Sequence, residues 1–345
     1  MRAIAEFRVT EEFVRRLFGD DEGQKIGSSV RKIELPIEDP RFLQIGKLQK
    51  ELHETMNRSF FHGWNIRYIY TEQELADAAI FILNVSSTFE PAGEECGTQY
   101  NELTACPRCG SGATQVSNLR LDLRRVPKSA DIARTIAGEV IVSQRLAERL
   151  LDGELTGFDL GRILHKARYE DDQIDLHQLP IGRDILRRAE IANAPHPTGR
   201  FWVWLNRVPN VALLDQARAE FAEMKRKKIW SGGKTPPVWH QLIITSKPVE
   251  IAPGTRVGVD PYDDDTSCTS KCPMGDLLGL NLLSEVRIGA ESSTIECDIV
   301  QSRQFIGTRR GLLRPRQVIM VSQKFRSLIK LAGINGAYLD IAHIV

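Results

Sequence analysis

The run Cys106-Pro107-Arg108-Cys109-Gly110 constrains this chain more than any other segment. Two cysteines two residues apart can wrap one tetrahedral ion. The glycine behind them frees a tight turn in which backbone N–H groups point at the sulfurs and stabilise thiolates. Cys96-Gly97 lies ten positions earlier and resembles the second half of another knuckle, but Gly93 stands where its first cysteine would be. The loop therefore offers three ligands, Cys96, Cys106 and Cys109, whereas a closed structural site takes four. The fourth has to come from far along the chain, so the fold must bring distant segments together. Cys272 is the expected donor, because Cys272-Pro273-Met274-Gly275 mimics the Cys-Pro opening of the first knuckle. Cys268 is the alternative, and Cys268 with Cys272 would then supply a pair that displaces Cys96. Asp276 ranks behind both as an oxygen ligand, and Cys297 reads as a buried thiol on a strand.

Close cysteine pairs in a reducing compartment point to metal before disulfide. The ion expected is a structural Zn2+, whose binding would be part of folding. The competing readings are six unmetallated thiols, or a thiol-redox pair. The second is the weaker, because Gly110-Ser111-Gly112 follows Cys109 where a helix N-terminus would be needed.

The chain also repeats itself. Val142-Ser143-Gln144-Arg145-Leu146 returns 179 residues later as Val321-Ser322-Gln323-Lys324-Phe325. At the same offset Leu150 meets Ile329, Gly157 meets Gly336 and Leu160 meets Leu339. Each copy reads as a strand, a serine N-cap, an amphipathic helix, a glycine and another strand. Each follows a cysteine cluster. The expected fold is α+β: two related halves, each a cysteine loop plus strand–helix–strand, sharing a zinc-ribbon-like site, behind an N-terminal α/β extension. The divisions fall at 1–90 for the extension, 91–192 for the first half, 193–255 for a linker with a helical insertion, and 256–345 for the second half.

Within the extension, 30–37 has strand character. Pro40 opens a helix over 42–56 whose Leu43, Ile45, Leu48, Leu52 and Met56 form the apolar stripe. Thr71 with Glu74 is a capping box, and 79–85 reads as a buried strand. In the linker, 193–200 and 231–237 are loops by composition, and 213–228 is a charged helix.

A net charge of +1 gives the whole molecule no case for nucleic acid, but its distribution is uneven. From Val300 onward eight basic residues, among them Arg309, Arg310, Arg314 and Arg316, face the single acid Asp340. Such a segment either contacts phosphates or an acidic partner, or pairs with acids elsewhere in the chain such as those at 260–265. No apolar run is long enough to span a bilayer, and Arg2, Glu6 and Arg8 occupy the place of a signal peptide's apolar region. A cytoplasmic location without membrane contact is expected.

The reading leans against an enzyme. Gly233-Lys234-Thr235 lacks the leading glycine of a phosphate loop and runs into Pro236-Pro237. No histidine pair has metal-ligand spacing on a helix. His62, within Phe60-Phe61-His62-Gly63-Trp64, reads as a core histidine among aromatics, with a pocket wall as the other possibility.

The knuckles, one per half, resemble the bacterial double-CXXCG-motif family, known from myxobacteria, some members of which are described as immunity proteins. Cys106-Pro-Arg-Cys109-Gly110, the Cys272-Pro-Met-Gly275 stretch and Gly311-Leu-Leu-Arg-Pro315 carry the resemblance. It spans roughly 94–170 and 255–345. Cys268 and Cys272, three residues apart, depart from the family spacing, and the first ninety residues have no counterpart. The resemblance implies a non-catalytic, zinc-stabilised binding protein that neutralises a toxin-like protein partner. The rival expectations are a zinc-ribbon nucleic-acid-binding protein and an enzyme whose site is not visible.

Overall fold

Alternation along Arg2–Thr10 places Ala3, Ala5, Phe7 and Val9 on one buried face and starts the N-terminal sheet as β1. The computed structural model describes residues 2–165, 237–263, 271–272, 275–277, 281–289 and 296–345, with the short backbone strands at 173–174, 194–195 and 201–204. The helix expected at 213–228, the phosphate-loop-like 233–235 and Cys268 lie outside the described residues. β2 (Gln24–Ile26), β3 (Val30–Pro36) and β4 (Phe61–Ile69) complete an antiparallel sheet in the order β2-β3-β1-β4.

Helix α1 (Pro40–Met56) covers this sheet. The Asp39 carboxylate accepts the Arg41 N–H, Pro40 takes the first helical position, and Asn57 ends the helix at φ 51°. The buried face is Phe42, Ile45, Leu48 and Leu52. Leu43 and Met56, expected in the stripe, are 64% and 55% exposed. One residue turns a helix by about 100°, so a face that begins at Phe42 excludes Leu43. Tyr262, inside the acidic loop, inserts between Phe7 and Phe42, with its ring 4.8 Å from that of Phe42. Gly46 leaves room for it, since a Cβ there would lie 2.9 Å from the tyrosine ring.

The capping box forms as expected at α2 (Glu72–Asp77), and β5 (Ile80–Val85) follows. The first half then contributes β6 (Leu119–Leu121), β7 (Ile132–Thr135), β8 (Val140–Ser143), α3 (Gln144–Asp152) and β9 (Phe158–His165), and the linker contributes β10 (Trp239–Ile244). The second contributes β11 (Val286–Ile288), β12 (Ile299–Ile306), β13 (Arg316–Ser322), α4 (Gln323–Ala332) and β14 (Ala337–Ile344).

Two sheets with one topology result. The first runs β7-β8-β10-β9-β6, with Thr88–Phe89 added beside β7, and the second runs β12-β13-β5-β14-β11. In each, a helix carries the chain from one strand to a second, parallel strand, with one antiparallel strand between them. A helix about 10 Å across bridges two strand spacings, which leaves room for one strand in the gap. The registers agree residue for residue: Ser143 pairs Trp239 as Ser322 pairs Ile80, and Phe158 pairs Ile244 as Ala337 pairs Val85.

The gap strands are exchanged. β5 precedes the first half in sequence yet fills the second sheet, and β10 precedes the second half yet fills the first. The divisions at residues 90 and 255 therefore do not separate independent sheets. β5 is buried on both faces, which accounts for its almost unbroken apolar run: Phe81, Leu83 and Val85 enter one core, Ile80 and Ile82 another.

The contact between the halves is reciprocal. The Ser143 hydroxyl accepts the Leu146 N–H and donates to Asp131; the Ser322 hydroxyl accepts the Phe325 N–H and donates to Asp298. Asp131 accepts the Asn335 N–H from the other half, and Asp298 accepts the Thr156 N–H. Arg145 reaches the carbonyls of Ala332 and Gly333 at the end of α4, as its counterpart Lys324 reaches the Glu154 carbonyl beyond α3. Gly157 (φ 92°) and Gly336 (φ 105°) open β9 and β14. A Cβ on either would come within 2.2 or 2.1 Å of the carbonyl oxygen of Ile299 or Ile132 in the opposite half. Among the described residues no helix is long and apolar enough to cross a membrane.

Candidate metal centre

The first knuckle sits on a two-strand ribbon, Tyr100–Asn101 against Thr114–Gln115. The Cys106 N–H donates to the Ser111 carbonyl, the Gly110 N–H donates to the Cys106 carbonyl, and Gly110 takes φ 78°. This is the tight turn that the Cys-x-x-Cys-Gly spacing requires. The N–H groups of Cys109 and Arg108 point at the Cys106 sulfur and hold its thiol below the ordinary value.

Cys272 reaches this turn from the second half. Cys106, Cys109 and Cys272 are all buried, their sulfurs lie within 4.8 Å of one another, and together they form a group that could hold a metal ion. The Asp276 carboxylate joins them. Its Oδ2 lies 3.4 Å from Cys272 Sγ and 3.7 Å from Cys109 Sγ, and those two sulfurs are 3.6 Å apart. Around a tetrahedral zinc, Zn–S of ~2.3 Å and Zn–O of ~2.0 Å place two sulfurs about 3.8 Å apart and a sulfur and an oxygen about 3.5 Å apart. The separations among Cys109, Cys272 and Asp276 fit such an ion, while Asp276 stays outside the 4.8 Å group that the three thiols form.

A second layer orients the donors. The Ser111 hydroxyl donates to Asp276 Oδ2 and lies 3.0 Å from Cys109 Sγ. The Phe305 N–H donates to Asp276 Oδ1. Burial pushes the Cys109 thiol up, as do its two thiol neighbours, while Ser111 opposes them. A bound cation reverses that balance, because the thiolate is the ligand.

Cys96, expected as a ligand, does not belong to this group. It is fully buried and ends a short helical turn at Glu94–Cys96, outside the group of sulfurs that lie within 4.8 Å of one another. Asp276, ranked last from sequence, reaches Cys109 and Cys272. The missed signal is the spacing Cys272-x3-Asp276, which lets one turn present both side chains; the Cys272 N–H donates to the Asp276 carbonyl across it. Cys297 is half-buried rather than a core thiol.

The four arginines proposed as contact residues part company. Arg309 and Arg314 cross to the first half, where both pair with Glu94 and Glu102. The Arg314 guanidinium also lies 4.0 Å over the Tyr100 ring, whose hydroxyl donates to Glu139. The Arg309 N–H donates to the Cys109 carbonyl, and a Cβ on Gly110 would meet Arg309 Cβ at 2.6 Å. Arg310 is exposed, and Arg316 turns to a cavity described below. Elsewhere in the tail, Arg326 and Lys330 pair with Glu72, and Arg303 with Glu250. Much of the basic tail is thus paired with acids elsewhere in the chain, though not with Asp260 or Asp263. Those carboxylates cap their own loop by accepting the N–H groups of Tyr262, Val259 and Asp260.

His62 is exposed, 3.0 Å from the Thr10 hydroxyl, and not a core residue. It sits where the register of β4 slips against β1 and lines the cavity described below, as the pocket-wall reading has it. Comparison of the chain with protein-family models and with curated proteins finds no match to either.

Proposed function

We propose that the chain is a non-catalytic binding protein whose two halves are clipped by one structural zinc on Cys106, Cys109, Cys272 and Asp276. The observation that carries this reading is the buried three-thiol group, which takes two ligands from the first half and one from the second. Four protein donors leave the ion no open position for substrate, so it supplies rigidity and not Lewis-acid chemistry. The resemblance to the double-CXXCG-motif family makes a toxin-like protein the expected partner and immunity the expected role. Exposed Leu103, Val116 and Leu313 on the loops around the centre, with Arg310, suit a protein surface. Nucleic acid is the poorer fit, because Arg309 and Arg314 are already paired within the chain.

The test is a pull-down from the native host, with mass spectrometry of the bound protein and a nuclease control. One stoichiometric protein supports the reading. Nucleic acid released by salt overturns it in favour of the nucleic-acid alternative. Metal analysis of the purified chain should give one zinc per molecule.

A further inference from the structure

The second sheet has one face that changes character along its length. Ile80, Ile82, Val318, Met320, Val286 and Ala342 pack into an apolar core. Two residues further along the same strands, on the same face, stand Asn84, Arg316 and Asp340, with Tyr338 two residues beyond Asp340. These four line a cavity of about 620 Å³ that is closed on its other side by β4, from His62 to Tyr68, and entered by Arg134 from β7. The volume is that of a small-molecule site.

The two arginines are unusual. Among the described residues neither guanidinium has an ion pair or a hydrogen bond, in contrast to Arg309 and Arg314 nearby. Burial holds both below the ordinary arginine value, and for Arg134 the nearby Arg316 charge adds to it. Arg316 is surrounded by protein yet still reaches water, as a group on a cavity wall does. Two neighbouring cations on a cavity wall, neither of them ion-paired, cost stability. The fold does not ask for them. At the repeat offset Arg316, Tyr338 and Asp340 correspond to Ala137, Asp159 and Gly161, and Asn84 stands where the first sheet has Ile243. At matching register the first sheet has Gly161 and Ile243 in place of Asp340 and Asn84, while Ala137 lies in the turn before β8.

We infer that this cavity binds a small anionic molecule whose carboxylate or phosphate group lies between Arg134 and Arg316, with the rest of the ligand facing Asn84, Tyr338 and Asp340. Guanidinium forks bind either oxyanion through paired N–H donors. Asn84 donates to Asp340 across 2.7 Å, so the far wall offers a fixed polar edge for a hydroxyl or amine of the same ligand. This site is independent of the metal centre and of any partner protein.

The experiment titrates the full chain with inorganic phosphate and, separately, with succinate at constant ionic strength, read by melting temperature and calorimetry. Saturable binding of at least one probe is expected, and the better probe identifies the oxyanion. Arg134→Gln and Arg316→Gln should each weaken binding at least about tenfold. In probe-free buffer both variants should melt at or above the parent, because an unpaired cation has gone. Arg316→Lys, which keeps the charge and loses the fork, should bind with intermediate affinity. Lys330→Gln, a surface charge control, should leave binding unchanged. Absence of saturable binding, equal binding in the glutamine variants, or a lower melting temperature or failure to fold in probe-free buffer would overturn the inference. The last two would make the arginines structural.

Discussion

At the middle of the first sheet Gly161 pairs with Gln241; at the same register of the second, Asp340 pairs with Ile82. The halves share strand order, registers, helix caps and the reciprocal glycines. They differ in what they place on equivalent positions. The first carries a complete knuckle with two thiols, and the second only Cys272 and Asp276. The second carries the charged cavity wall, and the first has Ile243 and Gly161 at the registers of Asn84 and Asp340. Features common to both halves are what the duplicated fold needs. Features in one half alone are where function is to be sought.

The largest effect expected separates the clip from ordinary buried cysteine. Cys109→Ser or Cys272→Ser should abolish stoichiometric metal and lower unfolding stability by on the order of 5 kcal/mol or more, because ion binding is folding free energy here. Cys96→Ala should keep one ion per chain. Metal analysis and denaturant titration check both, and loss of the ion from the Cys96 variant would restore the four-cysteine site.

Gly157→Ala and Gly336→Ala test whether the halves are energetically as well as geometrically equivalent. Each forces a Cβ against a carbonyl oxygen at positive φ, and each should cost about 3 kcal/mol. Clearly unequal melting shifts would show that the reciprocal contact is symmetric in form only.

Asp340 should give an effect of the opposite sign, and only in the second half. Burial raises its carboxyl to about 6. The folded chain therefore holds a proton that the unfolded chain has lost above pH ~4, and stability falls as pH rises between those values. Asp340→Asn should flatten that slope and stabilise the protein by up to about 2 kcal/mol above pH 7. An unchanged pH profile in thermal melts would remove Asp340 from this account.

The smallest effects belong to the caps. Ser143→Ala and Ser322→Ala should each cost about 1 kcal/mol. Burial raises the Asp131 carboxyl, but Arg145, the Asn335 N–H and Ser143 outweigh it and hold it below the ordinary value. Its contribution is therefore present above pH ~4 and lost as pH falls through the folded value. Asp131→Asn should destabilise at neutral pH and matter little in acid, by the same melts.

Short-range features were legible. The Cys-x-x-Cys-Gly turn, the serine caps at 143 and 322, the Thr71–Glu74 box and the proline entry to α1 depend on residues within a turn of one another. The duplication was legible too, since equal registers preserve equal spacing. The close approach of Gly157 and Gly336 to the opposite half was not, because a glycine records a need for space without naming the neighbour that needs it.

The sequence alone determined which segments become strands and helices, which face of each is apolar, and that one cysteine turn lacked a ligand. Tertiary structure decided which strand fills which gap, that Cys272 and Asp276 meet the first knuckle at Cys109, and that Arg314 is paired while Arg316 faces a cavity. The reason is physical. Alternation with period two specifies a strand's faces but carries no label for the strand beside it. Charge and ligand partners were chosen across 160 to 220 residues by packing, as Cys109 with Cys272 and Arg314 with Glu94 show.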